Sequence, residues 1–568
     1  MTKSAKITLI KLLIVLLLSG SMLLLPFEEW GVPINAVQSR VIALFVFAAL
    51  MWILEVIPIW TTSVLVITLT LLGMSNQSLN FLQTERYDAA AVKAIVAEAY
   101  GPTANADTVK KTQDTVLADL KKQTSLSPTY VRTTINNAIL APVVSGKADD
   151  AAKAELKAAA GKLYDGELSE RINGLSLVSV AKQKSIFGTF ADPIIILFLG
   201  GFFLADAATK YRLDINLARV LLKPFGTDPK YVLLGLMSVT AIFSMFMSNT
   251  ATAAMMLALL TPVLALFKPE DRGRAAFALC IPIGANVGGI GTPIGTPPNA
   301  IALKYMQDLG LDVTFGKWML FGIPFVIVML LVAWFLLIKM FPINQKRLDL
   351  SSELKGKFLT TPKAIIVYIT FIVTILMWVI PKEYHGLDSN SVAIIPIVVF
   401  SVTGVITKKD LRGMAWDVLW LVAGGFALGV ALSETNLAKD MISAIPFGEW
   451  NSVALLIGAS CICLFMATFM SHTATAALLV PILGGVAGAM MTAGSMDTPG
   501  AVALLVTVAF ASSLGMALPI STPPNAMAYA TGHIEQKGMA VSGTILCLLG
   551  LVITIFMMVG LGAIGFFG

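Results

Sequence analysis

Charge is what this sequence has least of. Only 13% of its 568 residues are Asp, Glu, Lys or Arg, while 57% are hydrophobic, and a soluble domain carries roughly twice that share of charge. The shortage excludes a water-soluble globular protein and places most of the chain in lipid. Cysteine is scarce too. Cys280, Cys461, Cys463 and Cys547 all fall inside apolar stretches, so they read as small buried side chains, which excludes a disulfide framework or a metal cluster. No Walker-type phosphate loop supplies an ATP motor, and neither an HExxH helix nor a serine-hydrolase signature argues for an enzyme. The net charge of +6 does not mark a nucleic-acid binder. Its Lys and Arg sit in short loops between apolar segments, where orientation in a membrane requires them.

What is present is a series of long apolar runs, at about 7–26, 40–57, 59–75, 191–207, 318–338, 364–380, 391–406, 415–432 and 539–565. The first, behind Lys3 and Lys6, lacks an A-x-A cleavage site and reads as a retained helix. Four segments are different. Residues 231–267 and 451–496 contain no charged residue, are too long for one span and too short for two with a turn, and carry Ser248-Asn249-Thr250 and Ser471-His472-Thr473 near their centres. Each is expected to be a re-entrant hairpin with a polar tip at membrane depth. Residues 275–303 and 501–531 are also uncharged but are interrupted by GGIGTPIGTPPNA (288–300) and LGMALPISTPPNA (514–526). Pro removes a backbone donor and Gly weakens a helix, so both spans should break in mid-membrane and line a cavity there.

Gly200 and Gly424, Ser248 and Ser471, and Asn299 and Asn525 are separated by 223 to 226 residues, which marks an internal repeat. With the N-terminus inside, because of Lys3, Lys6 and Lys11, the basic linkers 211–230, 268–274, 339–363 and 408–412 all fall in the cytoplasm. The expected fold is an all-α polytopic membrane protein of about eleven spans, with two re-entrant hairpins and two broken helices in inverted repeats. Its parts are N-terminal helices (1–78), an inserted helical domain (79–188), a first repeat core (189–340), a cytoplasmic linker (341–363) and a second repeat (364–568). The insertion is rich in Ala, Lys, Asp and Thr. The span count puts it on the periplasmic or extracellular face, where an insertion without a role in the membrane chemistry costs little. Residues 211–230 and 434–450 precede the hairpins and read as interfacial amphipathic helices. His385 and His533 lie in polar loops and read as solvated.

The motifs that carry the chemistry are SNTATAAM (248–255), GTPIGTPPN (291–299), SHTATAAL (471–478) and STPPN (521–525). Together they resemble the paired signatures of the divalent anion/sodium symporter (DASS) family, over residues 40–75 and 190–568. The resemblance implies a homodimer in a bacterial inner membrane, a mobile domain that carries its site by an elevator movement, and no cofactor beyond Na+ as coupling ion. It implies a small anionic substrate such as succinate, malate, fumarate, 2-oxoglutarate, citrate or sulfate, and no nucleic acid. By motif, a first sodium site would use Ser244, Ser248, Asn249 and a carbonyl near Gly291. The substrate would touch Asn249, Thr250, Thr292, Pro293, His472, Thr473 and Pro519. A second sodium site would draw on Met470, Ser471, His472 and Ala517. In that half Ala467 and Leu518 stand where the family has Thr, and His472 where it has Asn. Sodium symport of a C4-dicarboxylate and sodium-independent exchange using the His472 imidazole therefore both remain open, and so does the choice among dicarboxylate, citrate and sulfate.

Overall fold

In the computed structural model, residues 3–567 are described except 28–33, 83–85, 103, 125, 147, 165, 176, 266, 269, 349–356, 438–439 and 441–450. The chain is an all-α polytopic membrane protein. Among the described residues no strand forms beyond one isolated bridge, and nine helices are long and apolar enough to cross a membrane. The membrane helices are α1 (Lys3–Ser21), α2 (Ala36–Leu54), α3 (Ile59–Met74), α4 (Pro193–Lys210) and the short amphipathic α5 (Leu213–Leu222). Next come α6 (Pro229–Ser244), α7 (Asn249–Ala265), α8 (Gly273–Gly289), α9 (Pro297–Asp308), α10 (Phe315–Met340), α11 (Pro362–Val379) and α12 (Ser389–Val402). The second half holds α13 (Trp416–Glu434), α14 (Ser452–Phe469), α15 (His472–Thr492), α16 (Thr498–Leu514), α17 (Pro523–Ala530) and α18 (Gln536–Ala563).

Side chains facing outward are those that lipid requires. Leu17, Ile372 and Phe556 are among many large exposed hydrophobics on α1, α11 and α18, a surface that water would not tolerate over this extent. Helix starts are set by acid or amide caps followed by proline. Asp192 accepts from Ile194 N and Asp228 from Lys230 N, each just before a Pro at the first helical position. Two features depart from the sequence expectation. The arms of the second hairpin, α14 and α15, have 18 and 21 residues, each enough to cross a membrane alone. The run at 391–406 yields only the shorter α12, because it ends in turns at Thr403 and Gly404. Most of the amphipathic helix expected at 434–450 lies outside the described residues. Cys461 is exposed on α14 while the other three cysteines are buried, and His385 binds the carbonyls of Met377 and Ile380 at the end of α11.

The core is built by exchange between the halves. Within each half the first hairpin arm packs on the broken helix, α6 on α8 and α14 on α16. Across the halves α9 packs on α15 and α16, and α17 on α7 and α8. Gly284 and Gly288 make a GxxxG face on α8 that lets the α6 backbone come close. A Cβ at Gly288 would lie 2.4 Å from the Cα of Ala241. Gly288→Ala is therefore expected to destabilise the protein by more than about 3 kcal/mol, since backbone cannot move aside as a side chain can. Thermal unfolding in detergent checks this, with Gly188→Ala, where the new methyl meets nothing within 4 Å, as the neutral comparison.

The insertion folds around its own core. Five helices between Ala89 and Asn173 bury Val92, Ile95, Ile135, Leu163 and Ile172 in a cluster separate from the membrane core. Its two ends are stitched together: Ala181 N donates to Met74 O and Asn76 N to Ala181 O, both at 2.9 Å. Glu434, at the end of α13, receives Lys182 N at 2.6 Å and Ser185 Oγ at 2.7 Å.

Candidate functional site

Each Ser-X-Thr tip begins a helix. Ser248 Oγ accepts from Ala251 N and Ser471 Oγ from Ala474 N, both at 3.2 Å, so the serine of the motif is an N-cap that satisfies a donor the helix start leaves free. The asparagine of each Pro-Pro-Asn motif repairs the break. Asn299 Nδ2 donates to the carbonyls of Gly289 (3.0 Å), Ile290 (3.3 Å) and Thr292 (2.8 Å). Asn525 Nδ2 does the same for Met516 (2.8 Å) and Leu518 (3.0 Å). Trp318 Nε1 adds a bond to Ile290 O at 3.0 Å. Carbonyls released by unwinding in an apolar interior cost free energy unless a donor meets them, and these side chains are the donors.

A hydroxyl then fastens each break to its hairpin. In the first half Thr292 Oγ1 donates to Met245 O and accepts from Gly295 N at 3.1 Å. In the second half Ser521 Oγ donates to Thr468 O at 2.7 Å and accepts from Leu518 N at 3.1 Å. Position 518 corresponds to Thr292 and position 521 to Gly295. The hydroxyl absent at Leu518 stands at the other end of the same turn, on Ser521.

The two tips and the two broken helices enclose a cavity of about 410 Å³. Asn249, Thr250, His472 and Thr473 line it, as do Ser248 and Ser471. Thr292, Pro293 and Pro519 do not belong to its lining, which takes Thr296-Pro297 and Thr522-Pro523, the later of the two proline turns in each motif. Phe198, Trp60 and Leu421 form apolar walls, and Asp417 brings the one carboxylate. No Lys or Arg is among the lining residues. The four helices α7, α9, α15 and α17 all start at this cavity. Thr296 and Thr522 stand inside the motifs, whereas Asn286, which also lines the cavity, is marked in the sequence only as the sole amide in α8. A larger cleft of about 720 Å³, lined by Asp312, Lys317 and Trp378 among others, contains none of the motif residues.

Beside the cavity Ser244 is fully buried and its Oγ donates to Ala285 O at 2.7 Å. With the nitrogen of its amide inward, Asn249 donates to Ser244 Oγ at 2.6 Å, Gly295 O at 3.2 Å and Ala285 O at 3.3 Å. With its oxygen inward, the same amide faces mainly acceptors. The carbonyls that converge here are thus those of Ala285 and Gly295, while the Gly291 carbonyl is packed against the backbone of Gly322. In the second half His472 is buried and its Nε2 lies 2.8 Å from Gly515 O. A carbonyl accepts only, so Nε2 carries the proton. Met470 is buried and Ala517 is packed against Gly543.

The sequence matches the family model described as "Sodium:sulfate symporter transmembrane region" over residues 162–564. Among its relatives is a sodium-dependent dicarboxylate transporter, SdcS, of Staphylococcus saprophyticus, 31% identical over 66% of this chain and 78% of that one. Another is an inorganic phosphate transporter, PHO87, of Saccharomyces cerevisiae, 31% identical over 64% of this chain but only 39% of the yeast protein's length. An uncharacterised transporter of Haemophilus influenzae is 32% identical over 67% of this chain and 83% of its own. The chain is a multi-pass secondary transporter of anions and not an enzyme, and it belongs to the sodium:sulfate symporter, or DASS, family.

Proposed function

We propose that this protein is a sodium-coupled symporter of a divalent anion, a C4-dicarboxylate such as succinate, malate or fumarate, which it carries by an elevator movement within a homodimer of a bacterial inner membrane. One observation carries the reading: four helix N-termini, those of α7, α9, α15 and α17, converge on a cavity whose lining includes no Lys or Arg. A helix N-terminus presents roughly half a positive charge, so four supply about the two that a dianion needs. They do so without a fixed cation that would hold the carrier charged when empty. Asp417 repels an unaccompanied dianion and attracts Na+, which favours a cation-first order.

Sodium would bind where Ser244, Asn249, Ala285 and Gly295 place their oxygens, since hard cations prefer oxygen ligands. Asn249 would join the ion through its Oδ1. The name of the staphylococcal relative supports dicarboxylate as substrate and sodium as partner. Succinate uptake into proteoliposomes is expected to require an inward sodium gradient, and uptake that persists with choline in place of sodium rejects symport. A second reading, sodium-independent exchange, is favoured by one contact only. The His472 N–H donates to Gly515 O, so the tip presents a donor where an asparagine would offer an amide oxygen to a second cation, and counterflow by internal dicarboxylate without sodium would establish it.

A further inference from the structure

Asn286 of α8 has no part in the signatures, yet it is fully buried and lines the anion cavity. Its orientation is fixed by a chain of commitments. Asn525 spends both hydrogens of Nδ2 on Met516 O and Leu518 O, so the atom it turns toward α8 is Oδ1, an acceptor. Only the nitrogen of Asn286 can face that oxygen, and it does so at 3.1 Å, with Thr522 Oγ1 at 3.2 Å as its second acceptor. Both donors of Asn286 are thereby used on the other half of the protein. Its Oδ1 is left without a hydrogen-bond partner among the described residues. The repeat offers no equivalent: the corresponding position is Ser512, whose hydroxyl donates to Val508 O at 2.8 Å.

A buried amide oxygen that nothing satisfies is costly, and beside a binding cavity its natural complement is a donor on the ligand. We propose that Asn286 Oδ1 selects, within the class of divalent anions, those that carry a hydrogen-bond donor: a hydroxydicarboxylate over the plain dicarboxylate, and hydrogen phosphate over sulfate. Sulfate and hydrogen phosphate have the same shape and, above neutral pH, the same charge. They differ by one proton, so electrostatics and size cannot separate them and a single acceptor can. A plain dianion leaves Oδ1 unpaired, and such a mismatch discriminates more strongly than a missing methylene does.

This inference rests on the anion site proposed above, and the experiment separates the two. Purified protein at saturating sodium and pH 8 is titrated with malate, succinate, hydrogen phosphate and sulfate. Wild type is expected to prefer the first member of each pair, malate over succinate and hydrogen phosphate over sulfate, by about tenfold, the effect of one hydrogen bond. Asn286→Ala is expected to bring each ratio to within about threefold of unity by weakening the donor-bearing member. Equal affinities within each pair in wild type overturn the proposal without recourse to any variant. So does an Asn286→Ala protein that loses both members of a pair equally, or one whose sodium dependence shifts while the ratios stay, since the residue is then a fastener or a cation ligand. If none of the four anions binds wild type, the anion site itself falls and the selectivity with it.

Discussion

Ser521→Gly is expected to cut transport at least about tenfold, and adding Leu518→Thr to the same chain to restore it to within about threefold of wild type. The single change leaves Thr468 O without its donor and Leu518 N without its acceptor in a site that is 2% exposed at Ser521. Each unmet group costs about 1–3 kcal/mol when buried. The double change rebuilds the first half's arrangement in the second. A threonine at 518 stands where Thr292 stands, and a glycine at 521 where Gly295 stands, so one hydroxyl again joins the hairpin carbonyl to the turn. Initial rates of anion uptake, with a melting curve for each protein, measure the effect. A double variant no better than the single one means that the two turns are not interchangeable.

Asn249→Ala is expected to abolish sodium-driven uptake, a loss of at least about a hundredfold, whereas His472→Ala is expected to cost about tenfold. The difference follows from what each side chain holds. Asn249 sits among Ser244 Oγ, Ala285 O and Gly295 O within 2.6 to 3.3 Å. Without the amide only the Ser244 hydroxyl remains to donate among these three oxygens, and the shell around a bound ion is incomplete. His472 meets one carbonyl, that of Gly515. Sodium titrations of binding distinguish loss of the ion from loss of the anion. Should Asn249→Ala keep its sodium dependence, the first site lies elsewhere.

Much of this was readable beforehand from charge-free windows, because a segment that cannot be solvated must be buried, and from the common offset between halves. Membrane helices fell within a few residues of their expected places. What could not be read was direction. GTPIGTPPN contains two Thr-Pro pairs, at 292–293 and 296–297, that are alike in composition. The first turns into the protein to hold Met245, the second opens a helix on the cavity, and only the path of the chain distinguishes them. Leu518 misled for a related reason. Compared position by position, the second half has lost a hydroxyl. A turn can be closed from either end, so the bond survives with Ser521 as its donor. The role of Asn286 was hidden because its partners, Thr522 and Asn525, lie more than two hundred residues away in sequence.

The insertion stitched between Ser75 and Ala181 has a practical consequence. A carrier almost wholly enclosed in lipid gives an electron microscope little to align on. Here a compact body with its own core leaves and re-enters at one point, where a parallel bridge joins Ser75 to Ala181, so its ends already have the spacing a grafted domain needs. It can serve as a fiducial, or be exchanged for one, without lengthening the connection between α3 and α4.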